Sequence, residues 1–439
     1  MANNGFPKAE LGALCSKIGS GATPRGGDKV YLDKGEVALI RSQNIHNDGF
    51  NREGLVYIAE EHAEKLSNVT VESGDVLLNI TGDSVARCCQ VDTGVLPARV
   101  NQHVAIIRPN PEELHPRFLR YFLVSPTMQS EMLAWSHAGA TRKALTKGMI
   151  ESFKVPKPDP MIQGRIAQVL GTLDDKIELN RRMNRTLEKM ATAIFKSWFI
   201  DFDPVRAKAE GQDTGLPQDI ADLFPDSFED SELGEIPKGW TVTPMKDLAD
   251  VNARSIKKDY SHARIRYVDI SSVSQGSLDQ TTTYDLADAP SRAKRLVQTG
   301  DTIWSCVRPN RKAYLYIDQP TGNLVVSTGF AVLSPRAVPA SYLHQWVTTQ
   351  SFVDYLTAYA TGAAYPAVKA DTFETAKMLQ PAVGVLKAFH NLVGPLRARI
   401  AHNQRQNRRL AGLRDTLLPK LLSGELEAPA NEAVEEGAA

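Results

Sequence analysis

The chain is written twice. "SGDVLLNITG" (73–82) returns as "TGDTIWSCVR" (299–308), and "VNQHVAIIRP" (100–109) returns as "VSTGFAVLSP" (326–335). Gly74 and Gly300 lie 226 positions apart, as do Pro109 and Pro335. Upstream, "LIRSQNI" (39–45) faces "RIRYVDI" (264–270) at a separation of 225, which pairs Ile40 with Ile265, Arg41 with Arg266 and Ile45 with Ile270. Downstream the separation is 223: Gly139 matches Gly362, Glu151 matches Glu374, Lys154 matches Lys377 and Pro158 matches Pro381. Identity is low while order and spacing persist. Whatever the first half builds, the second half builds again.

Each copy is followed by a long helical segment, again in register at 223. Ile177 matches Ile400, Asn180 matches Asn403, Asn184 matches Asn407 and Leu187 matches Leu410. Met190, Ile194, Phe195, Trp198 and Phe199 then match Leu413, Leu417, Leu418, Leu421 and Leu422. The i, i+4, i+5, i+8, i+9 spacing puts each set of five on one helix face. A helix from Ile162 to Ile200 would be ~58 Å long. Two such apolar-striped helices most economically pack on each other. If the Pro/Gly-rich linker (203–236) that follows the first helix stays local, the second must run back, antiparallel to it. Pro419 interrupts the second stripe and predicts a kink or a new short helix, ended by Ser423-Gly424. Within the repeats, "GEVALIR" (35–41), "DVLLNI" (75–80) and "HVAIIRP" (103–109) predict strands, and 116–135 predicts helix broken near Pro126.

The expected fold class is therefore α+β. Two mixed α/β repeats (1–158 and 237–381) are joined by a pair of long antiparallel helices (159–202 and 382–426) forming a coiled-coil spacer. The result is a dumbbell with a pseudo-two-fold internal repeat. An acidic tail (427–439) is expected to be disordered.

At 439 residues, with 42% hydrophobic and 23% charged side chains, the composition is that of an ordinary globular chain. No apolar run has transmembrane length, and the first residues lack the pattern of a signal peptide, so the expected location is cytoplasmic. Cys15, Cys88, Cys89 and Cys306 form no C-x-x-C pair and are expected to be small buried side chains in a reducing compartment. Net charge is zero, yet 396–414 carries Arg397, Arg399, Arg405, Arg408, Arg409 and Arg414 without an acid. Such a face suits phosphate contact or plain solvation. No phosphate loop, H-E-x-x-H, zinc-like Cys/His pattern or G-x-S-x-G elbow occurs. The Gly-rich run "GSGATPRGG" (19–27) lacks the lysine-hydroxyl ending of a phosphate loop. Asp75 and Asp301 sit in Gly-Asp pairs that simply open strands. Two readers and a spacer favour recognition over catalysis.

Three stretches resemble the specificity subunit of type I restriction–modification systems. "LRDTLLPKLLSGEL" (413–426) is similar to that family's C-terminal conserved region. "LGTLDDKIELNRRMNRTLEKMATAIFKSWFIDFDPV" (170–205) is similar to its central conserved region. "DLFPDSFEDSELGEIPKGW" (222–240) resembles the entry into its second target-recognition domain. The resemblance covers nearly the whole chain. It implies that the repeats are target-recognition domains, each reading one half of a split double-stranded DNA target. It implies that the helices set the gap and dock two methyltransferase subunits and, through them, restriction subunits. The chain itself would be non-catalytic and bind no cofactor or metal; S-adenosylmethionine, ATP and Mg would sit on the partners. A self-contained methyltransferase or nuclease, and a two-headed protein adaptor, are the alternatives.

Side chains able to read base edges or anchor phosphates define the candidate DNA contacts. In repeat one these are Arg25, Arg41, Gln43, Asn44, Arg99, Asn101, Gln102, Arg142 and Lys143. In repeat two they are Arg264, Arg266, Arg308, Asn310, Arg311, Lys312 and Tyr365, with "VRPNRK" (307–312) the densest patch. Ile177, Leu187 and the five residues 190–199 named above, with Ile400, Leu410 and the five at 413–422, are the candidates for helix pairing and subunit docking.

Overall fold

A computed structural model describes residues 5–137 and 143–429. The chain divides into two compact units, one running to Leu179 and resuming at Gln406, the other spanning Asn180–Arg405.

In the first unit one antiparallel sheet runs in the order Cys15–Ser20, Val104–Pro109, Val76–Asn79, Cys88–Gln90. A second sheet runs Val56–Ile58, Val37–Ile40, Ala98–Val100, Thr70–Val71, and its central pair is parallel. The strand Val76–Asn79 is buried along its length because both of its faces are covered. Alternation sorts its side chains: Val76 and Leu78 join the core under the helix Pro116–Val124, while Leu77 joins the core between the sheets. The expected helix break at Pro126 is present, as Pro116–Val124 is followed by Pro126–His137.

The second unit repeats this plan. One sheet runs Ala249–Val251, Phe330–Pro335, Thr302–Ser305, Tyr314–Tyr316; the other runs Thr282–Asp285, Arg264–Val268, Leu324–Ser327, Ala293–Leu296 with the same parallel centre. Trp304 and Ile303 fall into its two cores as Leu78 and Leu77 do in the first unit. Gly74 and Gly300 both take positive φ, +88° and +93°, and open their strands as expected. Asp75 and Asp301 are buried there and accept from the backbone N–H groups of Glu72 and Gln298.

One register expectation is overturned. Val100 pairs with Ile40, and its counterpart Val326 pairs with Val268, so Ile40 corresponds to Val268 and not to Ile265. The 3-10 turns Ser42–Asn44 and Ile270–Ser272, and the strands Ile45–His46 and Val273–Ser274, keep this separation of 228. Arg41 therefore corresponds to Asp269, not Arg266. Buried strand positions accept any apolar residue, so a shared Ile-Arg pair held no positional information; backbone pairing does.

The stretch 203–236 folds as part of the second unit. It forms the helices Asp203–Ala209 and Gln218–Ala221 and opens the hairpin Phe228–Ser231 with Gly234–Pro237, and Val205 and Phe224 enter the core.

The long helices are Pro160–Phe199 and Val383–Ser423. In the first unit Ile166, Ala167 and Leu170, near the start of one, share a core with Leu418, Leu421 and Leu422, near the end of the other. In the second unit Phe195, Trp198 and Phe199 share a core with Val385, Leu386, Phe389 and Val393. Each unit thus contains an antiparallel helix pair. The two matched stripes do not pack on each other, contrary to expectation. Antiparallel packing sets the end of one helix beside the start of the other, so the stripe that follows repeat one closes on the core of repeat two, and the stripe that follows repeat two closes on the core of repeat one. Ile177 and Ile400 are buried, Leu187, Ile194, Leu410 and Leu417 are half-buried, and Met190 and Leu413 are exposed.

Pro419 neither ends nor splits its helix, which runs on to Ser423. It stands in the last turns, where only one intrahelical bond is lost. Gly424, at φ +76°, ends the helix as expected, with Leu426 N–H donating to Lys420 O at 3.1 Å. No helix among the described residues is long and apolar enough to cross a membrane. Cys88 and Cys89 are buried as expected, whereas Cys15 and Cys306 are only half-buried.

Candidate nucleic-acid interface

In the first unit the parallel strands Val37–Ile40 and Ala98–Val100 deliver their C-terminal ends to one place. Arg41, Gln43 and Asn44 leave one strand; Asn101 and Gln102 leave the other, and Asn101 N–H donates to Ile40 O at 3.0 Å. The end of the neighbouring strand joins them. Asn79 Nδ2 donates to Ser42 O at 2.9 Å, Ile80 N–H donates to His103 O at 3.0 Å, and Gly82 N–H donates to Lys143 O at 3.2 Å. The loop that carries exposed Arg25 is anchored nearby through Ala22 N–H to Val100 O at 3.1 Å. Arg142 lies outside the described residues.

Within this cluster the polar groups divide by what they already hold. Asn44 is fully buried: its Nδ2 donates to Asn51 O and Glu53 O, and its Oδ1 accepts from Arg41 N–H. Asn101 is buried and its Oδ1 accepts from His103 N–H at 3.1 Å. Arg99 donates to Ala63 O and Ala98 O. These three shape the loops. Gln43 and Gln102 are exposed, though Gln43 Nε2 donates to Gly54 O at 3.0 Å, and Lys143 is exposed. Arg41 is half-buried, rests 5.3 Å from the Tyr31 ring centroid and donates to Gly54 O, while its buried Nε has no partner.

The second unit builds the same end with different chemistry. Cys306 N–H donates to Gly329 O at 2.9 Å, as Ile80 does to His103, and Arg308 N–H donates to Pro366 O at 2.7 Å, as Gly82 does to Lys143. Gly82 has φ +77° and Arg308 has φ +51°, so an arginine occupies a left-handed position that glycine fills in the other unit. Its guanidinium lies 4.6 Å from the Tyr365 ring centroid and donates to Ala364 O, and Tyr365 is 70% exposed. The turn Pro309–Arg311 projects exposed Asn310 and Arg311, and Lys312, also left-handed, donates to Gln350 Oε1 at 2.8 Å. Arg264 and Arg266 lie elsewhere, at the start and middle of their strand, short of its C-terminal end. Arg264 pairs with Asp285 at 3.1 Å and Arg266 donates to Thr281 Oγ1 at 3.3 Å.

Three residues absent from the sequence-based set belong to these ends. Thr81 Oγ1 and His103 Nδ1 lie 2.6 Å apart in the first unit. In the second, Asp269 takes the place of Arg41. Burial opposes its charge, but the Ser271 N–H, the Tyr267 hydroxyl, the Ser271 hydroxyl and Arg292 hold its carboxyl below the usual value. The misplaced register concealed it. Burial disfavours the thiolates, pushing Cys15 and Cys89 up to about 12 and Cys306 to about 11. No group of metal-ligating side chains occurs among the described residues.

Residues 4–189 match the family model described as the type I restriction modification DNA specificity domain. The HindI type I restriction enzyme specificity subunit of Haemophilus influenzae is 26% identical over 447 residues, which cover 90% of this chain and 94% of that one. The MjaIX specificity subunit of Methanocaldococcus jannaschii is 27% identical over 423 residues, 93% of this chain and 91% of that one. The crystal structure of a type I restriction–modification S subunit from M. genitalium is 14% identical, with a TM-score of 0.56 over 96% of this chain and 97% of that one, and so is similar in fold.

Proposed function

From the premise that the chain belongs to the specificity subunits of type I restriction enzymes, which are non-catalytic, we propose that its two repeats read the two halves of a split DNA target across a fixed, unread gap. The observation that carries this reading is one strand-end scaffold built twice with unlike side chains. Arg41 stands where the second unit has Asp269, and Gly82 stands where it has Arg308. A guanidinium donates to guanine acceptors, whereas a carboxylate accepts from the cytosine amino group. One scaffold can therefore favour different bases in each half. Lys143, Arg25, Arg311 and Lys312 supply the phosphate contacts that fix orientation.

The helices, each about 60 Å long at ~1.5 Å per residue, make the gap part of the specificity. Their exposed apolar side chains, Met190 and Leu413, dock two methyltransferase subunits, and restriction subunits join through these. S-adenosylmethionine, ATP and Mg belong to those partners, and the complex acts in the cytoplasm. The test is methylome sequencing of cells that express the chain with its methyltransferase partner. The expected result is a two-part motif with a constant unread spacer. A short uninterrupted motif would overturn the two-reader model.

A further inference from the structure

The second unit contains a cleft of about 860 Å³ to which the proposed function assigns no role. It lies between helix residues 185–200 and 397–404, the turn at 275–276, the strand Tyr314–Tyr316 and residues 344–351. Its volume falls in the roughly 300–1,000 Å³ range of small-molecule sites. Phe195 and Ile400 contribute apolar wall.

Two of its lining side chains are deeply buried donors. Arg397 is 8% exposed and Gln345 is 3% exposed. Arg397 Nη1 reaches Glu188 Oε1 at 3.4 Å, but its Nε has no partner. The Gln345 amide oxygen accepts from Thr192 Oγ1 at 3.5 Å, and its Nε2 has no partner. The neighbouring acid Asp318 is engaged by Arg405. Burial, and then Arg397, hold His344 well below its ordinary value, so it is neutral and adds no charge. Buried donors without acceptors are costly, and a buried cation with one long ion pair more so.

The first unit fills the corresponding place differently. There Asp174, the counterpart of Arg397 at the 223 separation, is clasped by Arg120, Tyr121 and Arg414. A closed ion network in one unit is matched by an under-compensated cation in the other. We propose that the cleft of the second unit binds a small molecule presenting an oxyanion, phosphate or carboxylate, to the Arg397 guanidinium and the Gln345 carboxamide, both of which line it. Its apolar or aromatic body lies against Phe195 and Ile400.

The test titrates the full-length chain calorimetrically with phenyl phosphate, benzoate, inorganic phosphate and phenol. Saturable binding of phenyl phosphate or benzoate, tighter than inorganic phosphate and absent for phenol, is expected, and the stronger of the two identifies the headgroup. Arg397→Met and Gln345→Leu each weaken it by about tenfold or more. In the wild-type chain the ¹⁵Nε resonance of Arg397 shifts on saturation, a readout independent of whether the variants fold. Absence of saturable binding by both aromatic anions, an unmoved Arg397 resonance, or displacement by duplex DNA would each overturn the proposal.

Discussion

At Arg308 backbone strain and the proposed recognition role fall on one residue. A non-glycine residue in the left-handed region costs about 1–2 kcal/mol, and its counterpart Gly82 avoids that cost. Arg308→Gly is therefore expected to raise unfolding stability by about 1 kcal/mol in urea titration while weakening DNA retention by the assembled complex. Loss of stability with retention intact would show that the stack on Tyr365 is purely structural. Asp174 makes the opposite case. Its carboxylate holds Arg120 and Arg414, which are 7% and 18% exposed in their side chains. Removing it leaves Arg120 buried without a carboxylate, while Arg414 keeps Asp415, so Asp174→Ala should cost about 3 kcal/mol. Burial opposes its charge, but Arg120, Arg414 and the Tyr121 hydroxyl outweigh burial and hold its carboxyl below the ordinary value. With the folded value depressed, the contribution is complete above about pH 4 and is lost as pH falls through the folded value. Asp174→Asn should flatten the acid limb of a stability–pH profile there.

The long helices are stabilised where they touch a globular core, not uniformly along their stripes. Leu421 is 1% exposed inside the first unit's core, whereas Leu413, on the same stripe, is 49% exposed. Leu421→Ala should cost about 2–5 kcal/mol in denaturant unfolding, and Leu413→Ala should lie within about 0.5 kcal/mol of wild type. The proposed docking role assigns Leu413 a different readout: Leu413→Asp should weaken co-purification of the methyltransferase subunit without changing the thermal midpoint of the isolated chain. Pro419 persists inside this helix because it is exposed and close to the end. An interior proline costs about 3 kcal/mol, mainly when the lost bond and clash fall in a region that must stay regular.

At the level of the whole molecule, the chain folds into units that its sequence order does not delimit. The first unit is discontinuous: it needs residues from 406 onward, including Arg414, Leu418, Leu421 and Leu422. A chain ending at Arg405 should lose the first unit and keep the second. In limited proteolysis, cleavage should spread through residues 5–179 while a fragment near 180–405 survives. Protection of both units would mean that the returning helix is dispensable.

The sequence by itself determined the duplication, the two long helices, their direction, the strand-opening Gly-Asp pairs and the absence of recognisable catalytic motifs. Each of these is a matter of spacing or residue type, and spacing survives low identity. Only the tertiary structure decided the pairing of Arg41 with Asp269, the core that each apolar stripe enters and the removal of Arg264 and Arg266 from the strand-end cluster. Backbone hydrogen bonds set strand register, and apolar strand residues can slip by several positions in a sequence comparison without penalty. An apolar stripe declares that a face is buried, but its partner is whichever surface the antiparallel return brings opposite it.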